Sequence, residues 1–547
     1  MSFEVLDKDL LGRIGRLKTP HGTLETPLLF PVVNPLKAEL TPNDIIKAGF
    51  SALITNAYII MRRYGEDAKR LKLHGILNVK CPIMTDSGAY QILSYGYVQA
   101  DPDEILLYQK SIGSDIGVIL DVPSRLNEDL SEAAARVYET LRRARRAMLL
   151  KPILGDMLLV APVQGAPHMN LVSFSAKKLA ELDFDIYAVG GPTQYLEEYM
   201  FKEVAELIFH VRLNIPLSKP LHLFGAGHPL VLPLAVALGC DLFDSASYIL
   251  YARDERYITH YGTLRLKDLK YFPCSCPICI KYTPAEVREM DYSDRVRLLA
   301  LHNLYILREE ISSIKEAIRE GRLWEMLELK CRAHPSIMKA FQLFKRYAKY
   351  IEKYSVSTKA TIRGIFLLSS LSVYRPEVLR HKSRLLENYA KRKRVKYIIL
   401  LPALEEKPFI NSHLIKILLK RITAVENDKL NYVNICIYNE FFGVIPIEVS
   451  EVFPLSQYES IKLQECKSIE EEFEKFLYKY IISIAKLQEN KINIIVCCTE
   501  DFFYKIFEKI SYKLRRAGNK VSVTIIKTSG SSLEKVIDLI VKFILEN

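Results

Sequence analysis

The sequence has no apolar run approaching the ~18 residues that span a bilayer. Its opening, MSFEVLDKDL, has neither the basic nor the apolar stretch of a secretory signal. Both absences predict a soluble, cytoplasmic protein with no membrane partner. There is no low-complexity tract and no solenoid period. Ten cysteines in 547 residues, seven of them scattered mostly through apolar strings, give no disulfide framework. Hydrophobic residues at 49% and charged residues at 26% match ordinary globular usage, which excludes wholesale disorder and fibrous repeats. At ~150 residues per domain the length suggests three or four units, although an α/β barrel alone absorbs ~250.

Charge is present in excess and is unevenly placed. The net charge is +12, which favours a polyanionic partner. Between Arg375 and Lys396 nine basic residues face only Glu377 and Glu387, so this stretch holds seven of those twelve charges. Lys391, Arg392, Lys393 and Arg394 are consecutive. Such a run is either a solvated helix end or a contact for a nucleic-acid backbone.

The first 250 residues repeat one pattern, a short apolar run ending in small or polar residues and then an amphipathic stretch. The runs are 27–33, 51–56, 83–88, 117–122, 158–164, 187–192, 222–227 and 242–247. Continuous apolar runs are what strands buried on both faces look like. Eight such strands alternating with helices specify a (β/α)8 TIM barrel. Ahead of them, GRIGRLKTPHGTLETPLL reads as a hairpin turning at His21-Gly22, plugging or flanking the barrel bottom. A basic helical segment follows the barrel, and strand-like runs at 397–404, 431–439, 493–499 and 521–528 alternate with helices in a smaller α/β domain. The expected division is a barrel with a cysteine-containing subdomain over 1–330 (the subdomain at about 270–330), a connecting segment over 331–395 and an accessory domain over 396–547.

In a TIM barrel the carboxyl ends of the strands form the active face. Those ends carry Asp86-Ser87-Gly88, Asp121, Gln164, Gly190-Gly191-Pro192, Gly225 to His228 and Asp244-Ser245. One aspartate at a strand end often only caps a helix; three at equivalent ends converge on one mouth. Paired carboxylates suit displacement at an anomeric carbon, one as nucleophile and the other as general acid/base. Gln164 and Asp121 can present donors and acceptors to a planar heterocycle lying against glycine backbone.

Cys274-x-Cys276-x2-Cys279, with His302 on the next helix, supplies three thiolates and an imidazole. That is the closed tetrahedral set of a structural zinc, one Zn(2+) per chain.

Met84-Thr85-Asp86-Ser87-Gly88-Ala89-Tyr90-Gln91, Val163-Gln164-Gly165, Gly190-Gly191-Pro192, Asp241 to Ala246 and the cysteine–histidine set together resemble the tRNA-guanine transglycosylase family, in particular its archaeal branch. The resemblance covers about residues 10 to 350. It implies that Asp244 is the nucleophile toward C1′ of a tRNA nucleoside and that Asp86 is the general acid/base. It further implies that Asp121, Gln164, Gly190, Gly191 and Ser87 bind the base, with Tyr90 stacking on it, and that Asp241 is structural. In the archaeal branch guanine at position 15 of the D-loop is exchanged for 7-cyano-7-deazaguanine, on the way to archaeosine. Homodimers through the zinc region are implied by the same analogy.

Full-length archaeal members usually end in an RNA-binding module of the PUA type, whereas SLEKVIDLIVKFILEN reads as an amphipathic helix. The segment from Val444 to Gln457 resembles the accessory domain of archaeosine synthases. The expectation is a split enzyme whose PUA module is supplied by a separate protein. The rivals are an archaeosine-synthase-like paralogue, a non-catalytic tRNA-binding subunit and a glycoside hydrolase.

Overall fold

The computed structural model describes residues 2–37, 39–89, 101–389, 395–425, 429–463, 466–488, 491–516, 520–528 and 533–546. The chain divides into two compact units, Met1–Phe344 and Lys345–Asn547. Among the described residues no helix is long and apolar enough to cross a membrane.

The first unit opens with an antiparallel sheet of β1 (Phe3–Asp9), β2 (Gly12–Thr19) and β3 (Gly22–Thr26). Eight parallel strands follow: β4 (Leu28–Pro31), β5 (Leu53–Asn56), β6 (Ile83–Asp86), β7 (Ile116–Val118), β8 (Leu158–Val163), β9 (Ile186–Val189), β10 (Leu221–Leu223) and β11 (Leu242–Ser245). They run β5 to β11 in sequence order around the sheet, and β4 pairs with β11. Past its own end, β4 meets β5 through the Val32–Ile54 bridge, and Val33 N–H donates to the Ile54 carbonyl at 2.8 Å. The expected TIM barrel is therefore present, with one of the expected runs under each strand.

Period-2 alternation decides what fills it. Phe30, Ile54, Met84, Val118, Val160, Ala188 and Leu242 pack in one cluster with Phe3, Leu17 and Leu24 of the first three strands. The hairpin is thus a plug whose side chains complete the barrel core. Two positions further along β5, β6 and β11 the same inward face carries Asn56, Asp86 and Asp244. After β11 come a hairpin, β12 (Arg256–Thr259) and β13 (Gly262–Arg265), two short helices, and the helix Tyr292–Glu320.

In the second unit β15 (Tyr397–Pro402), β16 (Val433–Asn439), β17 (Gly443–Pro446), β19 (Ile492–Cys498) and β20 (Val521–Lys527) form a sheet in the order β17-β16-β15-β19-β20. Tyr397, Ile399 and Leu401 face one core with helices His413–Val425 and Leu533–Glu546. Ile398 and Leu400 face the other core, with helices Lys467–Ala485 and Asp501–Arg516. The four expected strands are all parallel neighbours. The sequence reading missed three short strands. These are the antiparallel edge β17 and the pair β14 (Ile365–Leu367) and β18 (Tyr458–Ser460), with three or four residues each. Runs this short carry too little periodicity to read.

Candidate active site and metal centre

The carboxyl ends of the barrel strands surround a cavity of about 440 Å³. Asp86, Asp121, Gln164, Gly191 and Asp244 all line it. Ser87 lies just below, fully buried, with its hydroxyl donating to the Ile119 carbonyl at 3.2 Å. Tyr90 lies outside the described residues.

Asp86 ends β6, and its Oδ2 accepts from Asn56 Nδ2 at 2.9 Å and from Gly88 N–H at 3.3 Å. Burial, reinforced by the charges of Asp121 and Asp244, pushes its carboxyl up to about 7. That places it between acid and base near neutrality, the poise that proton transfer in both directions needs. Asp121 is also pushed up by burial, to about 6, against the hydrogen bond it accepts from Gln164. Gln164 Nε2 donates to Asp121 Oδ2 at 2.5 Å while its Oε1 accepts from Ser124 N–H at 3.0 Å. The amide is therefore held edge-on in the mouth. A Cβ on Gly190 would stand 2.5 Å from Gln164 Nε2, so only glycine lets these two strand ends meet.

Asp244 ends β11. Its Oδ1 accepts from His222 Nε2 at 2.8 Å and from Gly225 N–H at 3.1 Å. Asp241 is placed differently. Arg13 grips it with Nε at 2.7 Å and a second guanidinium nitrogen at 2.8 Å, and Leu221 N–H adds a bond at 2.8 Å. Fully enclosed below the mouth, Asp241 ties the plug to β10 and β11.

Asn56 and His222 were not singled out in the sequence, and Gly225 was noted only within the glycine turn that ends its strand. His222 had a readable signal, a lone polar residue inside the buried run of β10. Asn56 had none beyond ending its strand. His228 was noted only as part of a glycine turn. It reaches the cavity wall beside Tyr199, with burial driving its imidazole down to about 4.

Cys274, Cys276, Cys279 and His302 bring four ligand atoms within 4.8 Å of one another. The Cys276 and Cys279 sulfurs are 3.5 Å apart, and His302 Nδ1 lies 3.5 and 3.3 Å from them. His302 Nε2 donates to the Ile258 carbonyl at 2.8 Å, which turns the Nδ1 lone pair toward the sulfurs. Tyr257 stacks on the ring at 3.7 Å. Three thiols and an oriented imidazole fit a tetrahedral, sulfur-rich metal site.

Residues 8–336 match the family described as queuine tRNA-ribosyltransferase. The chain belongs to that family. Residues 378–540 match a domain family of unknown function. The chain is 48% identical over 462 residues to a protein of Pyrobaculum aerophilum named tRNA-guanine(15) transglycosylase, covering 84% of this chain and 90% of that one. A protein of the same name from Sulfolobus acidocaldarius is 41% identical over 460 residues, covering 84% and 88%. A third, from Methanocaldococcus jannaschii, is 41% identical over 516 residues, covering 93% and 75%. Family membership accounts for the barrel and its mouth together.

Proposed function

We propose that the protein exchanges a guanine of tRNA, at position 15, for 7-cyano-7-deazaguanine in archaeosine biosynthesis. The observation that carries this reading is the pairing of Asp86, poised near neutrality, with Asp244, whose Oδ1 is fixed from two sides in the same cavity. The other oxygen of Asp244 is the nucleophile. It attacks C1′ as the bond to guanine N9 breaks, leaving an aspartyl–ribose ester. The Asp86 carboxyl gives its proton to the departing base and becomes the carboxylate. It takes a proton back from the incoming heterocycle, whose nitrogen attacks C1′ and frees Asp244. Two inversions retain the configuration.

Asp121, Gln164 and the backbone at Gly190 and Gly191 read the edge of the base, and the 440 Å³ cavity suits a bicyclic heterocycle with its sugar. The nucleotide must leave the tRNA stack to enter, at a cost of a few kcal/mol that cation–phosphate contacts offset. Cys274, Cys276, Cys279 and His302 hold one zinc, which staples the segment after β13 to the helix Tyr292–Glu320 and takes no part in the chemistry.

The test is exchange of labelled guanine into tRNA by the full chain, with 7-cyano-7-deazaguanine as competitor, followed by mapping of the altered nucleotide. Asp244→Ala should abolish exchange and leave tRNA binding largely intact. Retained exchange would overturn the nucleophile assignment.

A further inference from the structure

At the opposite end of the barrel, where the strands begin, a second group of metal-ligating side chains converges. His21 sits in the turn between β2 and β3, His74 in the last turn of the helix Ala57–Leu77, and Asp115 immediately before β7. One atom from each lies within 4.8 Å of the others. His21 Nδ1 is 2.9 Å from Asp115 Oδ1, across 94 positions of sequence. His74 Nε2 is 3.6 Å from Asp115 Oδ2. The two imidazole rings lie against each other with centroids 3.8 Å apart and planes tilted by 32°.

Asp115 is fully buried. Its orientation is fixed by backbone. Oδ1 accepts from His21 N–H at 2.7 Å and Oδ2 from Ile83 N–H at 2.8 Å. Each oxygen keeps a lone pair directed at the imidazoles. The His21 side chain is 45% exposed, so the cluster opens to solvent on one side and leaves room for water ligands.

We propose that His21, His74 and Asp115 form a second metal site, selective for a divalent transition ion of the zinc type. Two imidazole nitrogens and one carboxylate suit such an ion, whereas magnesium and calcium prefer all-oxygen shells. Tetrahedral bonds of about 2.0–2.2 Å set ligand atoms about 3.3–3.6 Å apart, so the His21–Asp115 contact at 2.9 Å opens slightly and the His74–Asp115 separation of 3.6 Å is kept. The ion replaces the His21 Nδ1 proton that now points at Asp115 and the His74 Nε2 proton that now goes to the Cys81 carbonyl at 3.1 Å. The site holds the plug hairpin, the helix after β5 and the start of β7 together. It differs from the Cys274–His302 centre in having no sulfur donor, and its existence does not depend on the proposed reaction.

Cobalt reports the two sites separately, because thiolate ligands give intense charge-transfer absorption and nitrogen–oxygen ligands do not. The full chain, with any affinity tag removed and its metals stripped, is titrated with Co(2+). The expected result is uptake of about two equivalents, one with the thiolate spectrum and one with only weak visible bands. His21→Ala and, separately, His74→Gln should each lose the sulfur-free equivalent and its metal-induced rise in Tm, keeping the thiolate spectrum. His21 lies in a partly exposed turn, so its variant keeps the test usable if His74→Gln folds poorly. Saturation at about one equivalent, or a sulfur-free equivalent that survives His21→Ala, would overturn the proposal.

Discussion

His222 Nε2 donates to Asp244 Oδ1 at 2.8 Å, and among the described residues its Nδ1 has no hydrogen-bond partner. The carboxylate acceptor requires the proton on Nε2, so this imidazole is committed to holding Asp244. His222→Leu should therefore slow transfer about 10–100-fold, since misplacing a reacting group costs rate rather than binding. The loss should appear in kcat under saturating tRNA, with tRNA affinity unchanged. An equal kcat would show that Gly225 N–H alone fixes the nucleophile.

In the proposed reaction Asp86 makes exchange sensitive to pH. Its carboxyl rises from the ordinary 3.8 to about 7, so the acid form proposed to protonate departing guanine is lost as pH rises through neutrality. Guanine exchange at limiting tRNA should fall across that range, and Asp86→Asn should be nearly inactive at every pH. Stability runs the same way. The folded state holds this proton more tightly than the unfolded chain, so the stability it contributes is complete below about 4 and is lost as pH rises through about 7. Asp86→Asn should then be more stable than the parent at pH 8, by on the order of 1–4 kcal/mol in denaturant titration. A parent whose stability is flat from pH 4 to 8 would rule this out.

Arg13 and Asp241 provide a contrast. Breaking a buried, two-pronged ion pair typically costs about 3–5 kcal/mol because the surviving charge stays buried. Asp241→Asn should lower Tm strongly while the folded fraction, counted by active-site titration, turns over at the parental rate. A selective loss of kcat would instead place Asp241 in the reaction.

Cys276→Ala should release about one metal equivalent and lower Tm, leaving the rate per folded molecule unchanged. Metal analysis alongside exchange kinetics separates the two effects.

The basic run at Lys391 to Arg394 lies outside the described residues, and its charge in the sequence carries the prediction. Two other members of that stretch serve the second unit itself. Arg380 binds Glu352 at 2.9 Å, and Arg375 donates to the Phe366 carbonyl at 3.1 Å. Changing Lys391, Arg392, Lys393 and Arg394 to Ser should weaken tRNA binding and flatten its salt dependence, by up to about 0.9 in logarithmic slope for each phosphate no longer neutralised. An unchanged slope would make the run a solvated linker.

The barrel was legible because a strand buried on both faces cannot hide its apolar run, and the mouth was legible because strand ends are where a TIM barrel keeps its polar groups. Asp86, Asp121, Gln164 and Asp244 could be picked out by position alone. Asn56 and His222 could not, because their part is to hold another residue, and that depends on distances between side chains on neighbouring strands, Asn56 to Asp86 and His222 to Asp244. His21, His74 and Asp115 were invisible for the same reason. Each is ordinary in its own segment, and only closure of the barrel brings them together.

The inward face of the barrel is continuous from plug to mouth, and Asn56, Asp86 and Asp244 each stand two residues beyond a core side chain, Ile54, Met84 and Leu242. Ile54 itself lines the cavity. The floor of the cavity proposed to take the base is therefore the top layer of the hydrophobic core. A change in side-chain volume there alters how deeply a heterocycle can sit, so the range of bases this enzyme accepts can drift through substitutions that touch no polar group at all.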